Sequence, residues 1–244
     1  MIRKKNARKK KSGEKLQKYR KRMMLACAAG ILLTAVWLGG KRQETQLRET
    51  GYITAGINEK LLMLVNKTHK IPEGYEPELH WLKNGSCAVE NLMYDALSEM
   101  LTDGSREGLQ FVVASGYRSK ERQEELLEED IAADMQNLGM SYEEAYEKET
   151  RETMPPGCSE HETGLAVDLV SLDYQILDQN QEFTAENQWL REHCSEYGFI
   201  LRYPKGKEDI TEVDYESWHF RYVGREAAKI MTEQGLTLEE YVEG

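Results

Sequence analysis

The chain has 244 residues, of which 40% are hydrophobic and 31% are charged, so it can bury a sizeable core and is not a disordered chain. Its formal charge of −11 hides an asymmetry, because residues 1–22 hold twelve of the 32 Lys and Arg residues but one of the 43 acidic residues. Residues 23–244 therefore carry −22, which would repel nucleic acid and excludes it as an expected partner.

An apolar run follows the basic tail. Residues 23–40, MMLACAAGILLTAVWLGG, carry no charge, and a bilayer-spanning helix needs roughly 17–25 such residues. Because the more basic flank tends to stay in the cytoplasm, we expect a cytoplasmic tail over 1–22 and a transmembrane signal anchor over 23–40. No A-x-A-like cleavage site follows, so an uncleaved anchor is favoured over a signal peptide. A buried core helix would leave twelve cations directly beside the core.

The remainder divides into a polar stalk over residues 41–58 and an extracytoplasmic domain over 59–244. The domain opens with LLMLVNKTHKIPEGYEPEL, where Pro72, Gly74 and Pro77 favour an ordered extended arm over a helix.

The middle of the domain carries clear local signals. Apolar residues recur at helical spacing over 89–101, and LQFVVASGY (109–117) has the pattern of a buried strand that ends in a turn. Ser119 can cap a helix over 120–139, and Ser141 opens a capping-box pattern for a second helix over 141–150. The acidic region 124–156 is interpreted as a wall or lid over a cleft, or as a solvated helical hairpin.

Residues 164–244 alternate between strand and helix patterns. A short strand is predicted within 164–172, and helices are predicted over 184–197 and 225–244. GFILRYP (198–204) and WHFRYV (218–223) are further strand candidates.

Two of the five histidines stand beside other groups that bind metals. In SEHETGLAVD, His161 and Asp168 lie seven residues apart around a Gly turn, and in ESWHF, His219 follows Glu216. Two imidazoles and one carboxylate suit zinc with an open position for water, and an unligated Glu216 is the base that such a water needs. Taken alone, Asp168 could be a turn or capping carboxylate and Glu216 a solvated charge.

Other metal-binding patterns are absent or weak. His161-Glu162 resembles the start of H-E-x-x-H, but Leu165 occupies the last position, so the helix-borne zinc motif is missing. The remaining histidines, His69, His80 and His193, are interpreted as ordinary hydrogen-bonded residues.

The four cysteines do not predict a metal site either. Cys27 lies in the apolar run, and Cys87, Cys158 and Cys194 lack C-x-x-C spacing. Three exported cysteines leave at least one unpaired, and no pairing is predicted.

Four separated motifs resemble, in order and spacing, the VanY-type D-alanyl-D-alanine carboxypeptidases of the zinc peptidase family that also includes the VanX dipeptidases. The motifs cover about residues 60–225 and read LVNKTHKIPEGYEPEL, VVASGYRSKERQ, PPGCSEHETGLAVDL and YGFILRYPKGKEDITEVDYESWHFRYVG. With the strand patterns, this resemblance predicts an α+β fold, a small mainly antiparallel sheet flanked by helices, with the zinc site on the sheet.

The resemblance also implies roles. His161, Asp168 and His219 match the family's zinc ligands, with one Zn²⁺ per chain, and Glu216 matches its general base.

The resemblance places three further residues around the substrate. Arg118 matches the arginine that contacts substrate and stabilises developing negative charge, and a surface ion pair is the alternative. Gln123 and Ser159 match positions that line the substrate pocket.

Two residues depart from the family pattern. Ser217 stands where the family usually has Pro. Cys158 stands where a residue other than cysteine is expected, and burial is the simplest interpretation of this cysteine.

The function that the resemblance implies is a zinc-dependent D,D-carboxypeptidase that removes the terminal D-alanine from peptidoglycan stem peptides. Alternatives are an L,D-carboxypeptidase acting on tetrapeptide stems, a D,D-dipeptidase, and a catalytically silent zinc-containing wall-binding module. A silent module predicts loss of Glu216 or Arg118, and both are present. A serine peptidase is disfavoured because S-x-x-K occurs only at Ser12–Lys15 of the tail.

Overall fold

The computed structural model describes residues 59–83 and 85–244. The strands are β1 (Leu79–Trp81), β2 (Ala88–Glu90), β3 (Phe111–Ser115), β4 (Ala166–Ser171), β5 (Phe199–Tyr203) and β6 (Glu216–Tyr222). The helices are α1 (Asn91–Arg106), α2 (Lys120–Leu138), α3 (Tyr142–Glu149), α4 (Ala185–His193), α5 (Glu208–Thr211), α6 (Arg225–Gln234) and α7 (Leu238–Glu243). Short 3₁₀ turns span Glu160–Thr163, Gln179–Phe183 and Cys194–Tyr197.

The central sheet has four strands in the order β3-β4-β6-β5, and every neighbouring pair is antiparallel. A separate two-stranded sheet, β1-β2, is also antiparallel. The predicted α+β fold with an antiparallel sheet flanked by helices is therefore confirmed. The β1-β2 pair is an addition, since three-residue strands carry too little pattern to be read from sequence.

The predicted helix starts are confirmed where a side chain caps them. Ser119 accepts a hydrogen bond from the backbone of Arg122, and Ser141 forms a complete capping box with Glu144. The helical tail predicted over 225–244 is confirmed. It consists of two helices, α6 and α7, because Gly235 adopts a left-handed φ of 66° that ends the first.

One face of the sheet packs on helices. Val167 and Leu169 of β4 and Phe220 of β6 are fully buried against apolar residues of α1 and α4. Because successive strand residues point to opposite faces, Asp168 and His219 lie on the other face. The alternation inside these buried strands therefore separates the apolar core from the polar residues.

The predicted tail, membrane anchor and stalk over 1–22, 23–40 and 41–58 lie outside the described residues. Within residues 59–83 and 85–244, none of the helices combines the length and the hydropathy that a membrane span requires. The anchor stays a prediction.

Candidate active site

The three predicted metal ligands converge. One possible ligand atom from each of His161, Asp168 and His219 lies within 4.8 Å of the others, and all three residues are buried. Asp168 Oδ2 is 3.3 Å from His161 Nε2, and Asp168 Oδ1 is 3.1 Å from His219 Nδ1. The carboxylate therefore lies between two imidazoles that stand edge to face, with ring centroids 4.9 Å apart.

Sheet register brings two of these residues together. Asp168 in β4 and His219 in β6 are direct partners across the ladder, which fixes their side chains on one face. His161 reaches the same point from the turn before β4. Gly164 closes that turn at φ +73°, and a Cβ there would lie 2.9 Å from the backbone nitrogen of Glu90.

The imidazole contacts leave nitrogen atoms for a metal. Nδ1 of His161 lies 2.8 Å from the carbonyl oxygen of Gly116, so that nitrogen donates and Nε2 keeps its lone pair toward Asp168. Nδ1 of His219 faces Asp168, while Nε2 lies 3.5 Å from Glu160 Oε2. Two ring nitrogens and one carboxylate are a donor set that zinc accepts with a position left open, so the residues fit this ion.

Charge in the cluster favours an ionised Asp168 and a neutral His161. Burial opposes ionisation of Asp168, but His161 and His219 outweigh it and hold its pKa well below its usual range. Burial, aided by the Arg118 guanidinium, lowers the pKa of His161. Both forms are those in which these side chains bind metals.

Glu216 lies beside the ligands without being one of them. It is buried, and its Oε2 is 3.6 Å from His219 Nδ1. Glu216 is the first residue of β6. The pairing of β5 with β6 is irregular here, since Leu201 pairs with Phe220 but Tyr203 pairs with Glu216. A regular strand would place residues three apart on opposite faces, and Glu216 and His219 share one site at the point where this pairing is irregular.

Burial raises the pKa of Glu216 to about 8, and the Asp168 carboxylate adds to the rise while His219 and Arg118 oppose it. A base whose pKa lies near neutrality can both take and return a proton. Glu216 therefore has the position and the chemistry of a proton acceptor beside the three ligands.

Arg118 points into the cluster rather than to the surface. Its Nε donates to Ser115 Oγ at 2.8 Å, Nη1 to Gln123 Oε1 at 3.4 Å, and Nη2 to Asp168 Oδ2 at 3.0 Å. A guanidinium has five N–H groups, so these contacts leave two for another ligand. The surface ion pair considered from sequence is wrong, because the partner of Arg118 is the buried Asp168.

Gln123 and Ser159 both line the cleft around the three ligands. Gln123 is buried, and besides accepting from Arg118 it donates to the carbonyl oxygen of Met154 at 2.8 Å. Gln123 thus ties the loop after α3 to the arginine. Part of region 124–156 forms a wall of the cleft, since Glu152, Thr153 and Met154 line it.

Seven further residues line the cleft without a role assigned to them from the sequence. Glu160, Tyr203 and Trp218 lie inside the motifs quoted above, whereas Glu152, Thr153, Met154 and Leu177 lie outside them. Trp218 could have been found from its place beside His219, although core packing is the usual default for such a residue. The ring of Tyr203 lies 4.9 Å from that of His219, a contact that only the β5-β6 pairing creates.

The residues set aside from sequence lie elsewhere. The rings of His80 and Tyr94 are in contact, with centroids 3.8 Å apart. His69 and His193 are surface residues that contact Asn66 and Glu196.

The three cysteines of the described region, Cys87, Cys158 and Cys194, are free thiols. The expected burial of Cys158 is confirmed, since it is 3% exposed, and burial raises the pKa of its thiol.

Comparison with known proteins now identifies the class of this fold and site. The family model described as VanY, D-alanyl-D-alanine carboxypeptidase, matches residues 86–225. The chain belongs to the VanY family and is a peptidase of the class that acts on D-Ala-D-Ala.

A sequence relative is a D-alanyl-D-alanine carboxypeptidase of Enterococcus faecalis (strain ATCC 700802 / V583), 39% identical over 183 residues. That match covers 74% of this chain and 65% of the relative's length.

Solved structures are similar to the same part of the chain. A mutant of the D,D-pentapeptidase VanY from a VanB-type vancomycin resistance cassette, in complex with Zn(II), is 37% identical, with a TM-score of 0.68 over 75% of this chain and 99% of its own. VanYB in complex with D-alanine-D-alanine has the same identity and TM-score, and the match covers 75% of this chain and 97% of VanYB. The LD-carboxypeptidase LdcB is 36% identical, with a TM-score of 0.64, and the match covers 76% of this chain and 87% of LdcB.

Proposed function

We propose that this protein is a zinc-dependent D,D-carboxypeptidase that removes the terminal D-alanine from peptidoglycan stem peptides. The observation that carries the proposal is the convergence of His161, Asp168 and His219, with Glu216 beside them and Arg118 at the same cleft. The zinc in one structural neighbour and the D-Ala-D-Ala in another support the choice of ion and substrate.

The roles of the side chains follow from their positions. When bound to His161, Asp168 and His219, zinc supplies Lewis acidity for the scissile carbonyl and for water. Glu216 takes the proton from the attacking water as the new C–O bond forms, and gives it to the leaving amine as the peptide C–N bond breaks. Arg118 offers its two remaining N–H groups to the substrate, where a fixed cation suits a terminal carboxylate or a developing oxyanion.

An L,D-carboxypeptidase acting on tetrapeptide stems is the second candidate, because the similarity to the LD-carboxypeptidase LdcB is nearly as high as that to VanY. Both reactions need the same ligands, base and arginine. They differ in the configuration of the residue before the scissile bond, so substrate choice separates them.

A silent wall-binding module is not supported by the site. Glu216 and Arg118 are both present and both lie within contact distance of a candidate zinc ligand.

The test is incubation of the protein with defined muropeptides that end in D-Ala-D-Ala or in a single D-alanine, with and without a zinc chelator. We expect D-alanine to be released from the pentapeptide, and release to stop on chelation and to return with zinc. Release from the tetrapeptide alone would assign the L,D activity, and release that survives complete removal of zinc would contradict metal catalysis.

We also infer that the enzyme is anchored in the cell membrane through residues 23–40, with 1–22 in the cytoplasm, 41–58 as a stalk and the catalytic domain 59–244 outside. The eighteen uncharged residues and the twelve cations before them support this topology. Protease added to intact cells should digest the catalytic domain, and full protection would contradict the topology.

A further inference from the structure

A buried group of charges lies directly behind the candidate zinc site. Glu160, Arg202, Arg221 and Glu239 have side chains between 0% and 7% exposed. Glu160 Oε1 is 2.7 Å from Arg202 Nε and 2.9 Å from Arg221 Nη1. Arg202 continues to Glu239 through two parallel contacts of 2.6 and 2.9 Å. Buried charges are retained only when paired, and this group pairs two cations with two anions.

The two oxygens of Glu160 have separate surroundings. Oε1 forms the ion pairs with both arginines. Oε2 has no hydrogen-bond partner among the residues that the structure describes. Oε2 instead faces Nε2 of His219 at 3.5 Å, and that nitrogen likewise has no other partner within the described region. A buried acceptor oxygen and a buried ring nitrogen that could donate to it therefore face each other.

His219 has a different neighbour at each ring nitrogen. Nδ1 lies 3.1 Å from Asp168, and Nε2 lies 3.5 Å from Glu160, on the side of the buried arginines. An imidazole binds a metal through the nitrogen that carries no proton, and the hydrogen bond of the other nitrogen sets which one that is.

We propose that Glu160 is a positioning residue that accepts a hydrogen bond from Nε2–H of His219 and so directs Nδ1, with its lone pair, to the metal. The proposal rests on the zinc site put forward above. Arg202 and Arg221 hold the Glu160 carboxylate in place. The residues that fix these two arginines therefore also help to position His219.

Both ends of the described chain supply that support. Both carboxylate oxygens of Glu239, in α7, accept hydrogen bonds from Arg202. Glu239 lies beyond residue 225, where the match to the family model ends. Arg221 Nη2 donates to the carbonyl oxygens of Leu61 and Met63 at 3.1 and 3.0 Å. The C-terminal helix and the segment before β1 are thereby part of the structure that orients His219.

The test is zinc affinity, measured in the full chain by competition with a chromophoric chelator, together with the melting temperature of the metal-free protein. The variants are Glu160→Gln, Glu160→Asp and Glu239→Gln. Glu243→Gln is the matched control, because Glu243 lies on the same helix with its side chain 57% exposed. Glu160→Asp keeps the charge opposite the arginines but withdraws the carboxylate from His219.

We expect Glu160→Gln and Glu160→Asp to weaken zinc binding about 10- to 100-fold. Glu239→Gln should weaken it less but in the same direction, and Glu243→Gln should bind as wild type does. A lower melting temperature with unchanged zinc affinity in the Glu160 variants would show a purely structural role and overturn the proposal. If Glu160→Gln does not fold, the affinities of Glu160→Asp and Glu239→Gln decide.

The measurement separates this inference from the proposed function. A wild-type protein that binds no zinc would refute both. A wild-type protein that binds one zinc, with Glu160 variants that bind it equally well, would refute only the role of Glu160.

Discussion

The two faces of the central sheet are both buried, but by different means. On one face Val167, Leu169 and Phe220 pack on apolar side chains of α1 and α4. On the other, Asp168 and His219 meet groups from distant segments, and each contact depends on a hydrogen bond or a charge. The first face requires only apolar residues of suitable size, whereas the second requires particular atoms at particular positions. The same two strands thus supply stability on one side and chemistry on the other.

The largest effect is expected on the polar face, from Glu216→Gln. Removing the proton acceptor should lower turnover of the pentapeptide by about 10²- to 10⁴-fold. Zinc content, measured by atomic absorption, should stay at one ion per chain because the three ligands are unchanged. Turnover within a few-fold of wild type would remove Glu216 from its role.

The apolar face should respond in stability instead. Phe220→Ala removes a fully buried ring and should lower the free energy of unfolding by about 3–5 kcal/mol. Trp81→Ala is the control, because Trp81 is 65% exposed and should change stability by less than about 0.5 kcal/mol. Urea titration of both variants measures the difference, and similar values would contradict the division between the faces.

Arg118→Lys tests whether the three separate hydrogen bonds of the guanidinium are needed. Lysine keeps the charge but cannot contact Ser115, Gln123 and Asp168 together, so kcat/KM should fall about 10- to 100-fold. Arg122→Lys serves as the matched control, since Arg122 is an exposed residue of α2 that pairs with Glu125. Equal activity of the two variants would contradict a role for Arg118 in substrate binding.

A smaller effect is expected in the pH dependence of the metal-free protein. Burial raises the pKa of Glu216 from 4.5 to about 8, so the folded state binds this proton more tightly than the unfolded chain does. The stability that results is fully present below about pH 4.5 and is lost as the pH rises through 8. The melting temperature of wild type minus that of Glu216→Gln should therefore fall across this window. A constant difference would contradict the raised pKa.

The sequence predicts the parts of the site that local motifs encode. His161, Asp168, His219 and Glu216 stand in short segments whose residue types indicate zinc chemistry, and the family resemblance adds Arg118. The structure brings all five together. Capping serines likewise predict where α2 and α3 begin, because a helix start depends on neighbouring residues.

What the sequence does not predict depends on contacts between distant residues. The pairing of Asp168 with His219 follows from the register of β4 with β6, and Glu216 comes close to His219 in a segment where the β5-β6 pairing is irregular. Arg202 and Arg221 look like the polar half of alternating strands until their burial is known. Glu239 lies far along the chain on an acidic helix, so no local signal connects it to the site.

The central claim is that one divalent ion binds where His161, Asp168 and His219 meet. Anomalous diffraction from crystals of the zinc-loaded protein, recorded at the zinc edge, tests it most directly. We expect a single strong peak in contact with His161 Nε2, the Asp168 carboxylate and His219 Nδ1, with Glu216 near the ion but not bound to it. A peak elsewhere, or none at this position in protein that cleaves the pentapeptide, would contradict this metal site.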